Sequence, residues 1–120
     1  MLDERLAEVK YEAVVERDRE EIEILLRSSE KGDIECALLS AAYYDPDWRW
    51  VQTQCLKFTH HSDQNVRWIA AICLGHLARI HRQLDLELVL QRLIEMRADQ
   101  LVKPAVEDAL DDIRFFLNFQ

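Results

Sequence analysis

Apolar residues recur at helical spacing along the chain. The clearest stripe consists of Val66, Ala70, Cys73, Leu74 and Leu77, which fall on one side of a helix with 3.6 residues per turn. Short polar stretches separate such segments, and aspartates stand where helix N-caps are expected. Glycine and proline occur only twice each, which favours long helices over a many-turned β fold. The pattern predicts an all-α protein of six helices.

Capping and breaking residues set the expected boundaries. Gly32 is expected to end the first helix in the left-handed conformation, and Asp33 to cap the second. Asp45 is expected to cap the third, with Pro46 at its first helical position, and Pro104 to lie near the first turn of the sixth. The predicted helices run from Leu6 or Tyr11 to Ser29, Ile34 to Tyr44, Pro46 to about Thr59, about Gln64 to His81 with Ser62 or Asp63 as cap, from the cap Asp85 to about Arg97, and Asp99 or Gln100 to about Leu117.

The helices repeat as pairs. A shift of 36 residues overlays segment 63–67 on segment 99–103, so that Arg67 meets Lys103. A shift of 18 residues overlays 45–56 on 63–74, so that Trp50 meets Trp68. A period between about 20 and 50 residues indicates a repeat architecture. The chain is therefore expected to fold as three antiparallel helical hairpins.

The repeat has a recognisable sequence. Segment 62–75 reads Ser-Asp-Gln-Asn-Val-Arg-Trp-Ile-Ala-Ala-Ile-Cys-Leu-Gly and resembles the second helix of a HEAT repeat. Together with Asp-Pro-Asp-Trp-Arg-Trp-Val at 45–51, Gly-His-Leu-Ala-Arg-Ile-His at 75–81 and Val-Glu-Asp-Ala-Leu-Asp-Asp-Ile at 106–113, the chain resembles small bacterial HEAT-repeat (PBS-lyase HEAT-like) proteins. The resemblance extends from about Asp45 to Leu117. It departs from the pattern at Lys103 and Asp111, which stand for an arginine and a glycine.

The resemblance implies a short α-α superhelix forming one domain over residues 1–120. Residues 1–44 would form a degenerate or capping hairpin, and residues 45–82 and 83–120 would form repeat hairpins. It also implies that Arg67 pairs with an acid in the adjacent repeat. Proteins of this kind bind other proteins. They include immunity proteins of polymorphic-toxin and contact-dependent inhibition (CDI) systems, which neutralise a toxin encoded beside them.

Composition narrows the choice of partner. The formal charge of −8 disfavours nucleic-acid binding, which depends on neutralising phosphates, and favours a basic protein partner. No apolar run reaches the roughly 20 residues that span a bilayer, and no signal-peptide core is present, so a cytoplasmic protein that does not bind membranes is expected. Cys36, Cys55 and Cys73 lie within helical patterns, which predicts free buried thiols.

Aromatic and acidic residues supply the candidate partner-binding site. Tyrosine and tryptophan are enriched at interface hot spots, and like-charged neighbours on a helix destabilise it unless something compensates. Trp50 and Trp68 are predicted to pack in the core, whereas Tyr44 and Trp48 are as consistent with exposure as with burial. The alternative for the acids is a solvated surface. The predicted partner-binding residues are Tyr43, Tyr44, Asp45, Asp47, Trp48, Glu107, Asp108, Asp111 and Asp112.

Enzymatic chemistry has little support. His60, His61, His76 and His81 lack the spacing of a metal site, and no glycine-rich phosphate loop or nucleophile elbow occurs. We therefore predict no catalytic residues, metal or cofactor. The favoured function is an immunity protein that occludes a basic toxin, such as a nuclease. The alternatives are a HEAT adaptor for another complex and, with less support, a lyase or chaperone for a bilin. The oligomeric state stays open.

Overall fold

The computed structural model describes residues 14–118. Its helices are α1 (Arg19–Leu26), α2 (Lys31–Tyr44), α3 (Trp48–Phe58), α4 (Gln64–His81), α5 (Leu86–Met96) and α6 (Lys103–Phe116). No strand occurs among these residues, so the prediction of an all-α fold with six helices is confirmed. None of the helices within residues 14–118 has the length and apolar character needed to cross a membrane.

Consecutive helices pair as hairpins, α1 with α2, α3 with α4 and α5 with α6. Helix α4 also packs extensively against α2 and α6, so α2, α4 and α6 form one continuous layer. The core lies mainly between this layer and the other three helices. Its largest fully buried side chains include Leu38 of α2, Leu74 of α4 and Ile113 of α6. The predicted stripe from Val66 to Leu77 is fully buried.

Aspartate capping fixed several boundaries as predicted. The carboxylate of Asp63 accepts hydrogen bonds from the backbone N–H of Asn65 (2.8 Å) and Val66 (3.3 Å) at the start of α4. Asp85 caps α5 by accepting from Leu88 N at 3.3 Å. Pro104 lies in the first turn of α6, where its missing N–H removes no helical hydrogen bond. These caps satisfy backbone donors that the helix itself leaves unpaired.

The predicted course of the first helix is wrong in the described residues. Residues 14–18 are not helical, and α1 begins at Arg19 because Asp18 caps it by accepting from Glu21 N at 2.9 Å. The possible starts at Leu6 and Tyr11 lie outside the described residues. Helix α1 ends at Leu26 rather than Ser29. Ser28 then begins a turn, in which its hydroxyl donates to Asp33 at 2.7 Å.

Gly32 and Asp33 therefore do not have their predicted roles. Gly32 has no positive φ and lies inside α2, which begins one residue earlier at Lys31. The N-cap position is Glu30, without a side-chain cap. Asp33 receives the Ser28 hydroxyl instead of capping the helix. Glycine adopts helical φ values as readily as positive ones, at a cost of about 0.5–1 kcal/mol relative to alanine.

The starts of α3 and α6 also differ from prediction. Asp47, not Asp45, caps α3 by accepting from Trp50 N at 3.2 Å, so Pro46 precedes the helix. Asp45 lies at the C-cap position of α2, and its carboxylate binds Arg19 and accepts from Asp47 N at 2.9 Å. Helix α6 begins at Lys103, since the carboxylate of Asp99 accepts from Leu101 N (3.1 Å) in a turn before it.

Ion pairs and one close backbone approach link the helices at what we call the seams, defined by the pairs Arg19–Asp45, Lys31–Asp63 and Arg67–Asp99 and by the close approach of Gly75 to Ala109. Arg67 Nε lies 3.1 Å from Asp99 Oδ2, and its guanidinium also donates to the carbonyls of His61 and Ser62. The expected pairing of Arg67 with an acid of the next hairpin is confirmed. Lys31 Nζ lies 3.8 Å from Asp63 Oδ2.

Polar contacts reinforce the other layer. Arg92 of α5 donates to the hydroxyl (2.9 Å) and the carbonyl (3.1 Å) of the fully buried Thr59. The side chain of Gln52 in α3 accepts from the backbone N–H of Asp85 at 2.7 Å. Each contact joins two residues that are 33 positions apart in the sequence and gives a buried polar side chain a hydrogen-bond partner. They link α3 to α5 within this layer.

Candidate functional site

One side of the α2–α4–α6 layer is covered by α1, α3 and α5, and the other side is open to solvent. The open side of α4 is marked by half-buried residues at helical spacing, whereas its other faces are buried. The acids Asp108 and Asp112 of α6 lie beside it. We name this surface the open face, defined by Glu35, Tyr43, Trp68, Ile72, His76, Arg79, Asp108 and Asp112.

A compact aromatic and basic cluster occupies the C-terminal part of the open face. The rings of Tyr43 and His76 meet edge to face, with centroids 5.2 Å apart. Arg79 Nη2 donates to His76 Nδ1 at 3.0 Å, and the guanidinium carbon lies 5.7 Å from the centre of the Tyr43 ring. Burial, together with the Arg79 charge, lowers the pKa of His76 to about 4. His76 is therefore neutral at pH 7 and holds Arg79 in place.

Asp112 lies on the other side of α4 from Tyr43. Its Oδ2 would be 3.1 Å from a Cβ built on Gly75, so the carboxylate sits against the α4 backbone. Burial raises the pKa of Asp112, as do the charges of Asp108 and Asp111, and these effects exceed the opposing effect of Arg79. Among residues 14–118, no Lys, Arg or His nitrogen lies within 4 Å of this carboxylate. Asp112 therefore has no direct ion pair within the described residues, although the charge of Arg79 acts on it.

The predicted residues around the α2–α3 turn divide into two groups. Tyr44 is exposed and Trp48 is half-buried beneath the guanidinium of Arg49, 4.9 Å from the ring centre. Asp45 and Asp47 instead have structural contacts. The Asp45 side chain is only 8% exposed and binds Arg19 through both oxygens, at 2.9 and 3.2 Å. Burial opposes ionisation, yet the Arg19 and Asp47 N–H bonds lower the pKa of Asp45 overall.

The predicted acids of α6 also divide. Glu107 binds Arg97 at 2.8 Å, toward α5, and that hydrogen bond lowers the pKa of Glu107. Asp111 is exposed and lies 3.4 Å from Arg114. Asp108 and Asp112 share the open face with Tyr43. The fold thus brings part of the predicted aromatic group and part of the predicted acidic group to the two sides of His76 and Arg79.

The tryptophans at equivalent repeat positions are partly buried. Trp50 and Trp68 both pack against the core, as predicted, but both keep some exposure. The Arg19 guanidinium covers one face of Trp50 at 3.8 Å from the ring centre. Among the described residues, no arginine or lysine lies over the ring of Trp68, which is on the open face with Ile72. Equivalent sequence positions therefore have different surroundings.

Nucleophilic and metal chemistry find no support in the described residues. Cys55 and Cys73 are free and fully buried, whereas Cys36 is only half-buried. A hydrogen bond with Cys55 and burial together raise the pKa of Cys73, which makes it a poor nucleophile. No group of three His, Cys, Asp or Glu side chains within residues 14–118 is arranged to hold a metal ion.

The arginines that form ion pairs with two of the predicted acids were not identified from the sequence. Arg19 binds Asp45 across 26 residues, and Arg97 binds Glu107 across ten. Neither separation is a helical spacing, so no local pattern indicates these pairs. The contact of Arg79 with His76 was detectable, because residues three apart are neighbours on a helix.

Comparison with known proteins places this chain in a family. No protein-family profile and no curated protein matches it. The crystal structure of a CDI complex from Cupriavidus taiwanensis LMG 19424 contains a chain that is 36% identical, with a TM-score of 0.78. The match covers 86% of this chain and 93% of that chain. This protein therefore belongs to the family of that chain of the CDI complex.

Proposed function

We propose that this protein is an immunity protein that binds a CDI toxin and inhibits it by occlusion. The observation that carries the proposal is the 36% identity, over 86% of this chain, to a chain of a CDI complex. A family member that is part of such a complex has a protein partner, and the same kind of partner is proposed here. A toxin and its inhibitor are the two roles that such a complex contains.

The acidic surface supports the inhibitor role. A nuclease toxin must hold a phosphate backbone and uses lysine and arginine for it, whereas this chain has a formal charge of −8. Carboxylates on the chain would occupy those basic groups in place of phosphate and would also accelerate the encounter.

The aromatic residues support a tight complex. Tyrosine and tryptophan supply large rigid contact areas, and most binding energy in an interface comes from a few such residues. Partner-binding roles are proposed for those candidate residues at the α2–α3 turn and on α6 that have no internal ion pair within the described part of the chain. These residues are Tyr43, Tyr44, Trp48, Asp108 and Asp112. The HEAT-like repeat assignment stays part of the same proposal.

The test uses the protein encoded by the gene next to this one. The two proteins are produced together, purified through a tag on the neighbour, and examined for a stoichiometric complex. Growth of cells producing the neighbour's C-terminal domain is then compared with and without this chain. Binding and protection are expected for the cognate domain and not for a non-cognate toxin. A neighbour that neither binds this chain nor is toxic would contradict the proposal and favour the adaptor alternative.

A further inference from the structure

The open face has the composition of an interface centre surrounded by charge. Trp68 and Ile72 are half-buried and packed against the core, so their outward edges are held rigidly. Tyr43 is likewise fixed, by its edge-to-face contact with His76. Protein interfaces typically have an apolar and aromatic centre with a polar rim. Ordered aromatic groups lose little entropy on binding, which favours this face over more mobile surface residues.

The rim of the open face is acidic on both sides. Glu35 of α2 lies on one side of α4, and Asp108 and Asp112 of α6 lie on the other. Within residues 14–118, none of the three carboxylates has a Lys, Arg or His nitrogen within 4 Å. Arg79 is the basic residue of this face, and its guanidinium binds His76.

The electrostatics of these acids differ from those of the seam acids. Burial raises the pKa of Glu35 and of Asp112. Hydrogen bonds lower the pKa of Asp45 and of Asp63, although burial opposes this. An acid that is partly desolvated without a cation gains more from a partner's lysine or arginine than one already paired. The fold itself therefore distinguishes acids that are used internally from acids that are free to bind.

We propose that the open face is the toxin-docking surface. Its occupant is a basic protein domain whose apolar residues contact Trp68 and Ile72, and whose lysine or arginine side chains reach Asp108 and Asp112. This inference rests on the proposed immunity function and adds the surface and the chemistry of the partner. Asp45, Asp47 and Glu107 are excluded from the docking contacts because each already has a structural contact.

The opposite layer is a poorer surface for a basic domain. Its exposed apolar residues include Leu88 and Ile94 of α5 and Ile24 of α1. Among the described residues, no half-buried acid without an ion pair lies on α1, α3 or α5, and the aromatic rings of these helices, Trp48, Trp50 and Phe58, are all on α3. Single exposed apolar side chains are ordinary on protein surfaces. They provide matched control positions for testing the open face.

The charge test compares two double variants with equal change in net charge. D108N/D112N removes two acids from the open face, and E20Q/E87Q removes two exposed acids from α1 and α5. Affinity for the cognate toxin domain is measured by titration calorimetry at low and high salt. D108N/D112N is expected to raise Kd by about tenfold or more and to flatten its salt dependence, because two screened charge pairs are lost. E20Q/E87Q is expected to change Kd by less than about threefold.

The apolar test compares Ile72→Arg on the open face with Ile94→Arg on α5. Ile72→Arg is expected to abolish binding or raise Kd by about a hundredfold, and Ile94→Arg to leave it near wild type. Thermal melts monitored by circular dichroism establish that each variant is folded. If Ile72→Arg does not fold, the charge test decides.

The outcomes separate the two proposals. Equal binding by the wild type, D108N/D112N and folded Ile72→Arg would overturn the docking surface and leave the immunity function standing. Equal weakening by D108N/D112N and E20Q/E87Q would also overturn it, since net charge alone would then explain the effect. No binding by the wild type would overturn the immunity function together with the surface.

Discussion

The seams and the open face both contain acids, but the acids of the seams have ion pairs and those of the open face, within the described residues, do not. At the seams, Asp45 binds Arg19 and Asp99 binds Arg67, so each charge is held in an ion pair within the fold. On the open face, Asp112 has no cation within 4 Å among the described residues, and its pKa is raised. The comparison teaches that an unpaired, partly buried acid is the stronger sign of function, because folding alone does not account for it.

Close packing at the α4–α6 seam should give the largest effect on stability. A Cβ on Gly75 would lie 3.0 Å from the Ala109 backbone, so Gly75→Leu must push the two helices apart. We expect this variant to lower the free energy of unfolding by about 3 kcal/mol, as overpacking does. Urea denaturation monitored by circular dichroism measures the change.

Gly32 provides the matched control for this packing. A Cβ there meets nothing within 4 Å, and the residue is helical. Gly32→Ala is expected to keep stability or raise it by up to about 1 kcal/mol, because alanine favours the helix. Similar losses at both glycines would show that the α4–α6 contact has no special tightness.

The Arg19–Asp45 pair should give the next largest effect. Asp45→Asn is expected to lower stability at pH 7 by about 1 to 2 kcal/mol, allowing for screening of the partly exposed Arg19. Because the folded pKa of Asp45 is lowered, its contribution is present above the unfolded pKa of about 4 and is lost as pH falls through the folded pKa. Unfolding at pH 7 and pH 2.5 measures this dependence.

Asp47 is the control for the Asp45 prediction. Its side chain is 56% exposed and caps α3, a role that asparagine fills equally well. Asp47→Asn is expected to change stability by less than about 0.5 kcal/mol at either pH. A larger loss for Asp47→Asn than for Asp45→Asn would reverse the assignment of the structural acid.

Equivalent repeat positions sharpen the comparison further. Arg67 is 18% exposed and bound to Asp99 and two carbonyls, whereas Lys103 is exposed with no ion pair recorded within residues 14–118. Arg67→Ala is expected to cost about 1 kcal/mol, and Lys103→Ala less than about 0.3. Thermal unfolding of the two variants tests this. Equal effects would mean that the seam pairing does not follow from repeat position.

The sequence predicted what depends on local patterns and repeats. Helix α4 and its caps were predictable because Asp63 and the apolar stripe act within one segment. The Arg67–Asp99 pair was predictable from the family resemblance. The start of α3 was not, because two aspartates precede it and the sequence does not show that Asp45 binds Arg19, 26 residues away, while Asp47 caps the helix. The sequence likewise could not distinguish the acids of the seams from those of the open face, because that distinction depends on which arginine binds which carboxylate in the folded chain.

Asp112→Asn should give the smallest change in stability, and one of opposite sign. The raised pKa means that the native state binds its proton more readily, so stability is lost as pH rises through the interval from the unfolded to the folded pKa. At pH 7 the full penalty is present, and asparagine removes it. After screening, a gain of a few tenths of a kcal/mol is expected at pH 7 and none near pH 3.

The same variant tests whether this acid is retained for binding. Asp111→Asn is its control, because Asp111 is 74% exposed and is expected to change neither stability nor affinity measurably. If Asp112 binds the toxin, the Asp112→Asn variant should be more stable than the wild type and should bind the toxin more weakly. This trade-off is expected of a residue that is retained for function. A loss of stability at pH 7 would instead make Asp112 a structural acid like those of the seams. The difference between the two regions would then lie in the aromatic residues alone.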